Sequence, residues 1–259
     1  MRLESNKTLM IRNKILGGAV PWICLPMVAE DRDILLHQAN DILGYQPDAL
    51  EWRVDKFEAV RNVDDVLAAL DELRKTIGDV PLIFTCRIID EGGFQEIAEN
   101  DRLELMEAVI ASGMVDLVDT EICNGERMIR VLKKTCSGTA VKLILSYHNF
   151  DETPEESFIV DKLCQAAKLG GDVAKAAVMP QNYGDVLTLL RATYKARTEL
   201  LEIPIITMSM GEKGGITRIA GGLFGSDLTF ALGQASSAPG QIYIGDVRKA
   251  WEVLPYGDS

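Results

Sequence analysis

Two side chains in this chain sit where covalent chemistry on a carbonyl compound could be done. Lys175 lies inside Gly170-Gly171-Asp172-Val173-Ala174-Lys175-Ala176-Ala177-Val178-Met179-Pro180, where paired glycines turn the chain and a proline ends an apolar run. Small and β-branched neighbours on both sides read as a short strand buried on both faces. Burial disfavours the charged form of an amine, and an uncharged lysine amine attacks ketones to form an imine. The same lysine could instead reach to water or pair with a buried carboxylate. The preceding apolar run, Lys142 to Phe150, carries His148 near its end. An amine and an imidazole at the ends of neighbouring strands suit covalent catalysis with proton transfer. His37, the other histidine, falls in a helical pattern and is expected at the surface or in packing.

Positioning those groups requires an alternating scaffold, and the chain alternates without a break after its first twenty residues. Strands are predicted over Ile23–Ala29, Ala49–Asp55, Pro81–Arg87, Leu117–Ile122, Lys142–Phe150, Val173–Met179, Pro204–Met210 and Leu228–Leu232. Helices are predicted over Asp31–Leu43, Val63–Ile77, Asp101–Ser112, Gly125–Thr135, Pro154–Leu169, Tyr183–Leu200, Thr217–Gly222 and Gly245–Val253. Eight strand–helix units in 259 residues predict an α/β fold, a closed parallel (β/α)8 TIM barrel forming one domain over 1–259. Residues 1–20, two short apolar pieces around Arg12-Asn13-Lys14, predict a short N-terminal β-hairpin outside that pattern. The second strand is not followed by Gly-x-Gly-x-x-Gly, which disfavours a dinucleotide-binding sheet.

In such barrels chemistry sits at the C-terminal ends of the strands, and side chains alternate between barrel interior and helix layer. Alternation puts Glu51, Arg53 and Asp55 on one face of the second strand, and Thr85 and Arg87 on one face of the third. It likewise groups Asp119 with Glu121, Ser146 with His148, and Met208 with Met210. Charges in a barrel interior are costly unless paired with each other or with ligand. Asp55, Asp119 and Glu121 are expected to form a structural ion-pair layer; Arg87, His148, Lys175 and Met210 lie nearest the mouth. Two loops complete it. Gly211 to Arg218 follows the seventh strand, where barrels often bind an anion, and its arginine suits a planar carboxylate; a flexible glycine turn with a solvated Arg218 fits the stretch equally. Ala235 to Gln241 follows the eighth, with Ser237 and Gln241 able to bond substrate hydroxyls or a carboxylate.

The net charge of −12 argues against nucleic acid and anionic membrane as partners. Five scattered cysteines, odd in number and without a C-x-x-C, argue against a disulfide framework and a zinc site and fit a reducing cytosol. No run approaches the roughly 20 apolar residues of a membrane span, and the N-terminus lacks a signal-peptide core. A cytoplasmic, soluble protein is expected.

Glu51-Trp52-Arg53-x-Asp55, Phe84-Thr85-Cys86-Arg87 with Glu91-Gly92-Gly93, Ser146-Tyr147-His148, Ala174-Lys175-x-Ala177 and Ser237-Ala238-Pro239-Gly240-Gln241 together resemble the type I 3-dehydroquinate dehydratases. The resemblance spans about residues 10–254 with the motifs in order. It implies loss of water from 3-dehydroquinate to give 3-dehydroshikimate through a lysine imine, a step towards aromatic amino acids or in quinate breakdown. It implies Lys175 as the imine-forming lysine, His148 as the general acid and base, and Glu91 as the carboxylate orienting that histidine. It implies Arg218 as the substrate-carboxylate clamp, Glu51, Arg53, Arg87, Ser237 and Gln241 as other polar contacts, and Met208, Met210 and Phe230 as an apolar wall. A homodimer with one small-molecule substrate and no metal or redox cofactor follows from the same resemblance. Two other readings stand beside it: a class I aldolase acting on a sugar phosphate, and a non-catalytic barrel that only binds.

Overall fold

The structure, a computed structural model, describes residues 2–233 and 239–256. Strands β1 (Leu9–Ile11) and β2 (Lys14–Leu16) pair antiparallel as the predicted hairpin, turning at Arg12 with a φ of 52°. The barrel staves follow in chain order: β3 (Trp22–Met27), β4 (Ala49–Arg53), β5 (Leu82–Thr85), β6 (Leu117–Glu121), β7 (Lys142–Asn149), β8 (Val173–Val178), β9 (Ile205–Ser209) and β10 (Leu228–Phe230). From β3 to β9 each pairs in parallel with the next, and β10 pairs in parallel with β3. Between β9 and β10 the described residues form no ladder. There the Asp227 N–H donates to Ile205 O at 2.7 Å, and Ser226 Oγ and the Asp227 carboxylate accept the N–H groups of Thr207 and Ile205. Side chains thus satisfy backbone donors that a ladder would otherwise pair.

Helices α1 (Arg32–Leu43), α2 (Val63–Ile77), α3 (Glu99–Ser112), α4 (Gly125–Ser137), α5 (Glu156–Lys168), α6 (Tyr183–Lys195), α7 (Gly215–Ala220) and α8 (Ile244–Trp251) fall between the staves, within two residues of their predicted limits except where α6 ends. Asn62 and Asn182 start α2 and α6 by accepting backbone N–H groups of the first turn. The pattern that predicts a helix to Leu200 breaks at Ala196–Leu200, a wider π turn. That turn carries Arg197, buried against Asp227, Ser5 and the carbonyls of Ile203 and Gly225. Asp227 also pairs with Arg2, so the N-terminal segment is tied to the seam beside β10.

Alternation along each stave separates two cores. Leu50, Trp52, Phe84, Val118, Leu145 and Ala174 face the helices, where Trp52 packs edge-on against Phe57 and Phe84 at 5.6 Å. Ala49, Ile83, Leu117, Ile144, Val173, Ile206 and Leu228 face inward at the N-terminal end. Ile11 and Leu16 of the hairpin pack among them, and the Trp22 indole N–H donates to Ile15 O at 2.9 Å. The hairpin therefore stoppers the barrel floor. The charged layer lies above it.

The second stave is shorter than its sequence pattern. β4 stops at Arg53, and Val54–Lys56 form a 3-10 turn, so alternation ceases to place Asp55. Asp55 is nonetheless fully buried, because it is wanted as an acceptor: Arg53 Nε and Nη2 and the N–H groups of Arg87 and Phe94 all donate to it. Among the described residues no helix is long and apolar enough to cross a membrane.

Candidate active site

The inward residues of the upper barrel surround a pocket lined by polar Glu51, Arg53, Arg87, Glu91, His148, Lys175, Arg218 and Gln241 and apolar Phe150, Ala177, Met208, Met210 and Phe230. Strand register sets their heights. Glu121, Ser146 and Lys175 are level across β6, β7 and β8, and His148 is level with Ala177 and Met208, one layer nearer the mouth. An imidazole above an amine is the consequence.

Lys175 is only 4% exposed. It does not reach to water. Its Nζ donates to Asp119 Oδ2 at 2.7 Å, lies 3.9 Å from Glu51 Oε1, and sits 4.8 Å from the centre of the Phe230 ring. Asp119 Oδ1 accepts from Arg87 Nη2 at 2.8 Å and Ser146 Oγ at 2.6 Å. Arg87 Nη1 donates to Glu121 Oε1 at 2.6 Å and to Ser146 Oγ at 2.8 Å. Burial works against charge on Asp119, but Arg87 and Lys175 hold its carboxyl well below the usual carboxylate range. Burial likewise opposes charge on Arg87, and Asp119 and Glu121 keep it a cation.

Glu91 follows β5 in a tight turn. Gly92 is left-handed (φ 86°), and a Cβ there would meet the Phe150 ring at 2.4 Å; one on Gly93 would meet Arg87 O at 2.3 Å. The glycines thus let the loop fold against Phe150, whose ring stacks at 6.5 Å from that of His148. Glu91 Oε2 accepts both the backbone N–H and the Nδ1–H of His148 at 2.9 Å, and Oε1 accepts from Cys123 Sγ at 3.2 Å. Three donors on one carboxylate fix the imidazole proton on Nδ1, leaving the Nε2 lone pair free as a base. Burial pushes the Glu91 carboxyl up to about 7, against the pull of Arg87. Burial, Arg87 and Lys175 hold His148 well below its ordinary range, Asp119 opposing them. The Cys123 thiol, pushed up to about 12 by burial and by Glu91, stays a donor.

Arg218 departs from expectation in its setting. It sits on α7 rather than in the glycine loop, 1% exposed, donating to Phe230 O at 3.1 Å and Pro239 O at 3.3 Å. Among the described residues no carboxylate pairs with it, and its Nε has no partner. Burial alone lowers it to about 10. A buried cation with no carboxylate partner among the described residues, in one pocket with Lys175, is a seat for an anionic ligand group.

The pocket gathers Lys175, His148, Glu91, Glu51, Arg53, Arg87, Met208, Met210, Arg218, Phe230 and Gln241; Ser237 lies outside the described residues. Arg53 arrives with Nε and Nη2 already committed to Asp55, so Nη1 is the nitrogen it has for a ligand. Asp55 and Glu121 do pair with arginines inside the protein. Asp119 is different: expected as a purely structural partner, it is the direct partner of Lys175. The alternation already aligns Phe150 with Ser146 and His148, and Ala177 with Lys175, and both line the pocket unassigned by the sequence reading. Nothing in the sequence flags Cys123. His37 is exposed on α1, 3.4 Å from Asp41. Among the described residues no group of three or more His, Cys, Asp or Glu could hold a metal ion.

The family model for type I 3-dehydroquinase matches residues 23–257. A 3-dehydroquinate dehydratase of Geobacillus thermodenitrificans is 45% identical over 251 residues, covering 96% of this chain and 97% of the relative. The crystal structure of 3-dehydroquinate dehydratase from Geobacillus kaustophilus superposes with a TM-score of 0.95 at 45% identity, over 98% of each chain. The type I 3-dehydroquinate dehydratase of Clostridium difficile, solved with covalently modified comenic acid, gives a TM-score of 0.92 at 38% identity, over 96% of this chain and 98% of that one.

Proposed function

The chain belongs to the type I 3-dehydroquinase family, and from that premise we propose that Lys175, His148 and Glu91 carry out its reaction. It is a hydro-lyase of the shikimate pathway that converts 3-dehydroquinate to 3-dehydroshikimate. Lys175 Nζ adds to the ketone and expels its oxygen as water, forming an imine. The cationic nitrogen acidifies the neighbouring C–H by accepting its electron pair. His148 Nε2 takes that proton and, now imidazolium, delivers one to the leaving hydroxyl on the same face, so elimination is syn. Glu91 holds the imidazole and steadies its charged form. Water then releases the product from Lys175.

The observation that carries the assignment is Arg218, a buried cation without an acidic partner among the described residues, in one pocket with the Lys175 amine. A substrate needs both a carboxylate and a ketone to use the two. Incubation with 3-dehydroquinate and borohydride is expected to leave a secondary amine on Lys175 and on no other lysine. Label spread over many lysines, or trapping of dihydroxyacetone phosphate at Lys175 instead, would replace this reading with a different one.

Arg218→Lys keeps the charge but loses the planar fork. Substrate binding is expected to weaken by roughly 1–3 kcal/mol, about 5- to 150-fold in KM. An unchanged KM puts the carboxylate elsewhere. Glu51, Arg53, Arg87, Gln241 and Ser237 complete the polar contacts in this reading, with Met208, Met210 and Phe230 as the apolar wall.

The Glu91–His148 pair also sets a pH dependence. It acts as a base while Glu91 is charged and His148 neutral, and its first added proton, near pH 7 for the raised carboxyl, ends that. Glu91→Gln removes the negative charge that favours this proton, while burial, Arg87 and Lys175 still push His148 down. The acid limb of kcat/KM is therefore expected to move to lower pH, and kcat to fall. A limb that stays put or rises assigns it to another group.

The barrel and its hairpin are read as one domain, supported by Ile11 and Leu16 in the barrel-floor cluster. A cytoplasmic homodimer completes the proposal; the free state of all five cysteines fits a reducing compartment.

A further inference from the structure

We propose that Asp119 is a catalytic residue: its carboxylate is the counter-ion and hydrogen-bond acceptor of the protonated imine on Lys175, and so fixes the plane of that imine beneath His148. This rests on the imine reading of Lys175 given above.

The charge balance of the covalent step makes the role necessary. An ammonium and a ketone give a protonated imine and water: of three protons on nitrogen, one stays and two leave with the carbonyl oxygen. The C–N bond forms, the C–O bond breaks, and one positive charge is present before and after. A carboxylate 2.7 Å from Nζ therefore faces a cation at both ends of the step. Glu51, at 3.9 Å and occupied by Thr85 at 2.8 Å, is the more distant neighbour.

Geometry divides the work of Asp119 between its oxygens. Oδ1 is held by Arg87 and Ser146, which immobilise the carboxylate; Oδ2 is left to Lys175. A lysine ammonium has three N–H groups and can turn about its last bond, but a protonated imine has a single N–H in the plane of C=N. With that N–H directed at a fixed Oδ2, the plane cannot rotate freely, and the reacting C–H and C–O bonds stand to one side of it. His148 lies one layer above, at the mouth side of Lys175. A fixed plane lets one imidazole serve both bonds. Pre-oriented charge of this kind acts where water is excluded, and Asp119 is 0% exposed.

The rival account is that Asp119 merely pairs with Arg87. Glu121→Gln separates the two, since Glu121 touches Arg87 but not Lys175. Other titratable and charged groups in the pocket with Lys175 are Glu51 and Arg53 from β4, Arg87 and Glu91 beyond β5, His148 from β7 and Arg218 from α7, and both variants keep them. In the full chain, Lys175 is labelled with acetic anhydride over a pH series and mapped by mass, with turnover of 3-dehydroquinate measured alongside. In Asp119→Asn the midpoint pH of Lys175 labelling is expected to fall and turnover to drop about 10²-fold or more. In Glu121→Gln the midpoint is expected to stay. An unmoved midpoint in Asp119→Asn, equal movement in both variants, or turnover of Asp119→Asn within about threefold of the parent overturns the proposal.

Should Asp119→Asn not fold, the parent protein decides. Its imine with a ketone analogue lacking the leaving hydroxyl, read by the nitrogen NMR shift of labelled lysine, is expected to stay protonated to about pH 9. Loss of the imine proton near neutrality overturns the role. No adduct on Lys175 of the parent removes the imine reading and this one together; an adduct with indifferent variants removes only this one.

Discussion

The Lys175→Arg protein is expected to fold as the parent does and to convert no 3-dehydroquinate. Arginine keeps a cation beside Asp119 and Glu51, which matters because both carboxylates are buried. Replacement by methionine would leave them facing no lysine, and breaking a buried pair costs about 3–5 kcal/mol. Lost activity would then be confused with lost stability. A guanidinium stays protonated and forms no imine, so arginine removes the chemistry with the charge in place. The loss should be on the order of 10⁴-fold or more, as for removal of a covalent nucleophile. Absorbance of the conjugated enone product measures the first half of the prediction, and circular dichroism with thermal melting the second. Retained turnover in a folded variant would end the imine mechanism.

The His148→Ala protein is expected to lose on the order of 10²–10⁴-fold in kcat while keeping a reactive lysine. In the proposed mechanism His148 contributes Nε2 to proton transfer, and its Nδ1–H and N–H both donate to Glu91. The backbone donor survives truncation, so Glu91 keeps an acceptor role and the loop should hold its place. Removal of the imidazole also lifts no charge from the site, because burial and the two nearby cations keep it neutral. Borohydride should therefore still trap substrate on Lys175, with adduct accumulating because hydrolysis needs proton transfer as well. His37→Ala serves as the control: its ring is exposed on α1, and activity should be unchanged. Normal turnover in His148→Ala with a dead His37→Ala would reverse the assignment.

What sequence could say about this site followed from the stiffness of β structure. Two-residue alternation is fixed by backbone geometry, so Glu51, Thr85, Arg87, Asp119, Ser146, His148 and Lys175 could be put on inward faces, as the fold has them. Alternation gives a face and not a partner. Asp119 therefore read as one more structural acid, although register sets it within reach of Lys175. The rule also lapses where the strand does: Asp55 enters the core through a 3-10 turn, and Arg197 through a π turn that periodicity extends as helix. Cys123 was silent for a further reason. Its contact with Glu91 joins two loops 32 residues apart, and loop positions carry no period to read.

The plug of Ile11 and Leu16 has a kinetic meaning as well as a packing one. With the floor sealed, the barrel is a well and not a channel, and whatever enters from above must leave by the same rim. Substrate, product and three molecules of water per cycle (two expelled, one spent) share the mouth of the pocket that Arg218 and Gln241 line. Traffic of that kind is mutually exclusive: on the proposed Arg218 clamp, a 3-dehydroshikimate still in its seat bars the next substrate. Product should thus inhibit in strict competition with substrate.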